Sequence, residues 1–253
     1  MPVVLVHGVP ETAAVWDLLV EHLAERGETD VRRLSPPGFG ADVPDGFDAT
    51  MHGYRDWLVG ELEAIGGPVD LVGHDWGGGH VLNVAMTRPD LIRTWVSDVP
   101  GVFDEEYVWH DLAQQWQTPE VGEGVVAGLA AMAVDDRAGF LVAGGMAAEI
   151  ADRVAPGIDE AMGRSILTLY RSAAQPRAAR AGGDLEKAAA RPGLALLPTD
   201  DDYVGTDEQR RRAAARAGAR VEVLHGLGHW WMTQDPAAGA AVLVDFWQGH
   251  RQD

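Results

Sequence analysis

In the first half of the chain, short and nearly continuous apolar runs alternate with stretches of helical spacing. Val3–Val6 is one such run and ends at His7-Gly8-Val9-Pro10; Val31–Leu34, Val69–Val72 and Leu91–Ser97 follow. Short apolar-rich runs of this kind fit the strands of a parallel sheet. Between them, Val15–Arg26 places Val15, Leu18, Leu19 and Leu23 on one helical stripe. Gly53–Ile65 reads as a second helix, stopped by Gly66-Gly67-Pro68, and a third follows the run Gly77-Gly78-Gly79 and reaches about Thr87. Strands and helices in alternation predict βαβ units and an α/β fold.

From about Gly101 to Gly183 the strand signals vanish. Alanine, glycine and helix formers dominate, with Pro119, Pro156 and Pro176 as breakers, which predicts a helical insertion. The strand pattern returns at Leu194–Leu197 and Val221–Leu224, with helices over Asp207–Ala217 and Pro236–Gln248. Pro236 suits a first helical turn, where its missing N–H costs nothing. The expected organisation is a core formed by residues 1–100 and 184–253, with a helical cap over 101–183.

Composition narrows the function classes. The 253 residues are 46% hydrophobic and 23% charged, close to the soluble globular average and long enough for one well-buried core. The absence of cysteine excludes disulfides, thiolate metal sites and a cysteine nucleophile. No stretch approaches the roughly 20 apolar residues of a membrane helix. The N-terminus enters a strand pattern without a basic region or cleavage site, so the expectation is a cytoplasmic protein. A net charge of −19, with Lys187 as the sole lysine, repels phosphate backbones. Nucleic acid and membrane partners are therefore not expected; a small neutral apolar substrate is, with the chain a monomer or homodimer.

The segment richest in chemistry is Gly73-His74-Asp75-Trp76-Gly77, lying between a strand and a helix. Flanking glycines permit a sharp turn that lifts the central side chain above the sheet edge, the geometry of a nucleophile elbow with aspartate in place of serine. Asp75 as a simple helix cap is the alternative. Past the next strands come Asp200-Asp201-Asp202 and then Gly228-His229-Trp230-Trp231, which sets a chain order of nucleophile, acid, histidine. Backbone N–H groups at Val9 and Trp76 are placed to form an oxyanion hole; a tight turn shaped by Gly8 and Pro10, with a cis peptide before Pro10, is compatible with it. His225 and His229 follow a strand rather than share a helix, so no metal site and no cofactor are expected.

Together, His-Gly-x-Pro-Glu, Gly-His-Asp-Trp-Gly-Gly and Gly-His-Trp followed by Asp235-Pro236 resemble the α/β-hydrolase superfamily, in its aspartate-nucleophile branch of epoxide hydrolases and haloalkane dehalogenases. The resemblance covers nearly the whole chain. It implies Asp75 as nucleophile and His229 as general base, with Asp201 orienting His229 and Asp98 as the second choice. The chain opens on the strand before the oxyanion loop, so a sheet of about six strands and a compact cap are expected.

A carboxylate nucleophile suits displacement at an sp³ carbon and forms an alkyl ester that water then cleaves. None of the four serines, Ser35, Ser97, Ser165 and Ser172, sits in an elbow. Leu169-Tyr170-Arg171 resembles the cap segment that carries one tyrosine of epoxide hydrolases, which implies Tyr170 as the acid for the opening oxygen. At the second tyrosine position stand Gln115 and Trp116, and Tyr107 is the candidate substitute. Trp76 and Trp116 serve equally as indole donors to a halide, or Trp116 as an apolar wall. Trp109-His110 resembles the fluoride-binding pair of fluoroacetate dehalogenases. The expected pocket is formed by His7, Pro10, Tyr107, Trp116 and Trp230. The leading reading is an epoxide hydrolase; a dehalogenase using the same triad and a ligand-binding protein of hydrolase fold are the alternatives.

Overall fold

The computed structural model describes residues 2–251. Among these, six strands form one parallel sheet: β1 (Val3–Val6), β2 (Val31–Leu34), β3 (Val69–Gly73), β4 (Ile92–Ser97), β5 (Gly193–Pro198) and β6 (Arg220–Leu224), in the order β2-β1-β3-β4-β5-β6. All five strand pairs are parallel. The chain steps outward from β1 to β2, then returns to the other side of β1 with β3. A crevice for ligands opens where the order reverses, at the C-terminal ends of β1 and β3.

Successive strand residues point to opposite faces, and the core divides accordingly. Val3 and Leu5 pack with Leu19 and Leu23 of α1 (Asp17–Glu25) and, near the C-terminus, with Leu243 and Trp247. Val4 and Val6 pack on the opposite face with Leu58 and Leu62 of α2 (Met51–Ile65) and Val81 and Val84 of α3 (Trp76–Thr87). Both faces of the sheet are thus covered, and each fully buried aliphatic side chain contributes about 1.5–3 kcal/mol. The edges are guarded by charge: Arg32 and Arg33 are exposed on β2, and Arg220 on β6.

Most boundaries shift by one or two residues from the sequence expectation, and two of the shifts have a clear physical reason. The first helix is preceded by a 3-10 turn over Ala13–Trp16, capped by the Thr12 hydroxyl. More consequentially, α3 begins at Trp76, so Gly77, Gly78 and Gly79 form its first turn instead of a preceding loop. Glycine is a poor helix former, but a Cβ at Gly77 would run into the carbonyl oxygen of Val6. Close approach of helix to strand overrides propensity there.

Between β4 and β5 lie α4 (Asp111–Gln117), α5 (Val121–Ala131), α6 (Val134–Ala143), α7 (Ala148–Val154), α8 (Glu160–Ser172) and α9 (Arg177–Ala181). A 3-10 stretch, Gly182–Ala190, then packs under α3 and receives the Trp95 indole N–H at the Ala188 carbonyl. The last helices are α10 (Asp207–Arg216), opened by a Thr206–Gln209 capping box, α11 (Trp231–Gln234) and α12 (Pro236–Gln248), with Pro236 in its first turn. Among the described residues no helix is long and apolar enough to cross a membrane.

Candidate active site

The elbow takes the shape its glycines permit. Asp75 sits at φ 50°, ψ −126°, a conformation an L-residue holds only when its surroundings enforce it. Its backbone N–H donates to Asp98 Oδ1 at 3.0 Å, and its side chain makes no capping bond to α3. The carboxylate is instead oriented for chemistry. Oδ1 accepts the Val9 N–H at 2.9 Å, while Oδ2 lies 3.8 Å from His229 Nε2. Burial raises the Asp75 carboxyl above its ordinary range; the charges of His229 and His74 and the Trp76 backbone N–H oppose that rise. A Cβ at Gly8 would strike the Asp75 carboxylate, so glycine is required beside the Val9 donor.

His229 is held from behind. Its Nδ1 donates to Asp201 Oδ2 at 3.0 Å, and Asp201 Oδ1 accepts the Tyr203 N–H at 2.9 Å. Burial pulls the His229 imidazole down, but Asp201 outweighs it by charge and hydrogen bond, and the net direction is upward. Asp201 shows the reciprocal balance: burial pushes it up, and His229 with the Tyr203 N–H holds it below the carboxylate range. Of the acidic run, Asp200 is exposed and accepts only the Thr199 hydroxyl. Asp98 is turned away from His229 and pairs with His74 at 2.6 Å.

A cavity of about 40 Å³ opens over Asp75 and His229, lined also by Val9, Pro10, Trp116, Tyr170 and Trp230. Tyr170 is buried among Trp76, Trp109 and Trp116, with ring centroids 5.3, 5.4 and 4.7 Å away. Burial and the Asp75 charge drive its phenol well above the ordinary value, so it stays protonated at neutral pH. Two expected lining residues are not there. His7 is turned inward, with Nδ1 donating to the Gly8 carbonyl and Nε2 near the Ser35 hydroxyl. Tyr107 donates its hydroxyl to the Tyr203 carbonyl at 2.8 Å, which directs it away from the cavity and makes it unfit as a second acid. In their place stand Leu112, Phe140, Tyr203 and His110. Of these, the sequence signalled only His110, through the pair Trp109-His110. Its Nδ1 caps α4 by accepting the Ala113 N–H, and burial lowers its imidazole to about 4.

Residues 3–242 match the model of a family described as the alpha/beta hydrolase family. The chain belongs to that family. Curated relatives of this hydrolase include an (E)-2-((N-methylformamido)methylene)succinate hydrolase from Acinetobacter baylyi, 33% identical over 93 residues, covering 36% of this chain and 35% of the relative. An epoxide hydrolase from Caballeronia sordidicola is 34% identical over 97 residues, covering 36% and 28%. The chain thus spans about a third of the length of the curated relatives it matches. Among solved structures, epoxide hydrolase A from Mycobacterium thermoresistibile superposes with a TM-score of 0.70 at 24% identity, over 98% of this chain and 91% of that one. A haloalkane dehalogenase from Bradyrhizobium elkani gives the same TM-score and coverage at 21% identity. Likeness at this level shows the fold alone. The protein is an alpha/beta hydrolase family member whose curated relatives include an epoxide hydrolase and whose fold is shared with a haloalkane dehalogenase.

In this hydrolase, Glu11, His74 and His229 each bring one metal-ligating atom within 4.8 Å of the others. Two of the three are already engaged with each other. Both His74 nitrogens face carboxylates, Asp98 at 2.6 Å and Glu11 at 3.0 Å, and the ring has no lone pair to offer an ion while both are bonded. Glu11 and His74 belong instead to a hydrogen-bonded chain that continues to Asp98.

Proposed function

We propose that this hydrolase opens epoxides to vicinal diols through a covalent ester on Asp75. The observation that carries the reading is the carboxylate itself, held at the elbow with one oxygen on a backbone N–H and the other facing a histidine–aspartate pair. Asp75 Oδ2 attacks an epoxide carbon, the carbon–oxygen bond breaks, and the electron pair on the departing oxygen takes the Tyr170 proton. His229 Nε2 then removes a proton from water as that water attacks the Asp75 carbonyl carbon. Negative charge gathers on Oδ1, where the Val9 and Trp76 N–H groups receive it. Collapse releases the diol as the histidine proton passes to the departing alkoxide; the proton left on the regenerated Asp75 carboxyl is lost to solvent, and Tyr170 takes one back. The epoxide hydrolase relative from Caballeronia sordidicola supports this choice of substrate. A cavity near the volume of one or two waters favours the shortest terminal epoxides.

One observation favours a dehalogenase instead. The Trp116 side chain lines the same cavity, and its indole N–H is buried with no hydrogen-bond partner among the described residues. A departing halide would satisfy it. Intact-mass trapping separates the readings. The His229→Ala variant, incubated with short epoxides and bromoalkanes, is expected to gain the mass of a whole epoxide at Asp75. A gain of an alkyl group without its halogen establishes the dehalogenase. No adduct on a folded variant overturns both and leaves the ligand-binding alternative.

A further inference from the structure

Beneath the elbow lies a second histidine–carboxylate assembly that touches no substrate cavity. His74 is fully buried, with Nδ1 2.6 Å from Asp98 Oδ2 and Nε2 3.0 Å from Glu11 Oε1. The outer atoms of its two partners reach every loop of the site. Glu11 Oε2 accepts the Gly8 N–H at 3.1 Å, one residue before the Val9 donor, and Oε1 accepts the Trp230 indole N–H at 2.5 Å, one residue after His229. Asp98 Oδ1 accepts the N–H of Asp75 itself at 3.0 Å, and Oδ2 accepts the Trp231 indole N–H at 2.8 Å. The His74 and His229 rings are 4.6 Å apart between centroids.

We propose that Glu11–His74–Asp98 is a positioning device for the reaction, a buried imidazolium clamped between two carboxylates that ties the oxyanion loop, the elbow and the histidine loop together and sets a fixed positive charge beside His229. It rests on the proposed role of His229 as base, and it adds residues that act through His229 and Asp75 without touching substrate. Two carboxylates buried this closely are costly unless a cation stands between them. With both ring nitrogens donating, His74 is that cation. Burial pulls its proton affinity down, and Asp98 and Glu11 together carry it well above the ordinary histidine value. Glu11 is held down to about 2, burial being outweighed chiefly by the His74 charge. The titratable groups around His74 are His7, Glu11, Asp75, Asp98, Asp201 and His229. Its charge favours ionised Asp75, and it counters the pull of Asp201 that would otherwise keep His229 protonated.

Imidazole nitrogen NMR on the folded, substrate-free protein tests this apart from any turnover. In the native protein His74 is expected to show two protonated ring nitrogens throughout pH 5 to 9 (about the range a free histidine titrates across), while His229 titrates. His74→Gln is expected to raise the His229 midpoint by about one pH unit or more, and Glu11→Gln, in which Asp98 keeps His74 charged, to lower it. A neutral His74 at pH 7 overturns the proposal even if neither variant folds. A His229 midpoint that stays put, or moves the same way in both variants, overturns it as well, because a purely structural clamp carries no sign. Failure of the epoxide trap with this NMR result intact would indict the substrate reading alone.

Discussion

His74 and His229 lie side by side, both buried and both paired with aspartate, yet they are in opposite chemical situations. Each donates Nδ1 to a carboxylate, His74 to Asp98 and His229 to Asp201. The difference is the second nitrogen. On His74 it meets Glu11 at 3.0 Å and is spent; on His229 it stands 3.8 Å from Asp75 at the edge of a cavity. A third carboxylate turns one imidazole into a fixed cation, and an open cavity leaves the other free to move protons. The residue type supplies the capability; what faces the remaining nitrogen decides whether it becomes a charge or a base.

Turnover separates the two assemblies most sharply. His229→Ala is expected to lower steady-state epoxide hydrolysis about 10⁴-fold or more, with the ester accumulating on Asp75. A rate within about tenfold of the native enzyme would erase the distinction between base and charge. The two tyrosines sharpen the same contrast. Tyr170→Phe is expected to slow ester formation about 10²- to 10³-fold in single-turnover measurements. Tyr107→Phe, whose hydroxyl is spent on the Tyr203 carbonyl, should change that rate less than about threefold and cost about 1 kcal/mol in chemical denaturation.

Acid stability reads the sealed assembly by itself. Glu11 is held at about 2 in the folded protein against 4.5 ordinarily, so its contribution is present above pH 4.5 and is lost as pH falls toward 2. Over that window the native protein should lose stability more steeply than Glu11→Gln; parallel curves by denaturant titration would mean the Glu11–His74 pair is uncharged. The smallest effect belongs to an exposed pair. Glu160→Gln removes a 3.8 Å contact with Arg164 on the surface of α8 and should shift unfolding by less than about 0.5 kcal/mol.

The sheet was legible because a strand covered on both faces needs an unbroken apolar run, as in Val3–Val6, while the edge strand Val31–Leu34, with Arg32 and Arg33 exposed, still shows the bounds its flanking apolar residues predict. The start of α3 was not, because packing of Gly77 against Val6 outweighs the helix-breaking tendency that local sequence displays. In the site, Asp75, Asp201 and His229 were readable from turn chemistry and chain order, and they do meet. His7 and Tyr107 were placed in the pocket by proximity in sequence, but their polar atoms found partners elsewhere. Tyr203 and Phe140 carry no local signal at all: one follows the acidic run and the other lies on α6, and only docking of the helices over the sheet brings them to one wall.

By itself, then, the sequence determined the strand and helix order, the elbow with its aspartate, and the chain order of elbow, acidic run and histidine. Each element and motif among these is read from residues within a few positions of one another. Tertiary structure alone decided that Asp98 serves His74, that Glu11 closes a buried chain joining three loops, and that His110 replaces Tyr107 at the cavity. Those outcomes turn on which of several equivalent polar groups lies within about 3 Å of which donor, and such distances are set between segments up to 219 positions apart, as for Glu11 and Trp230.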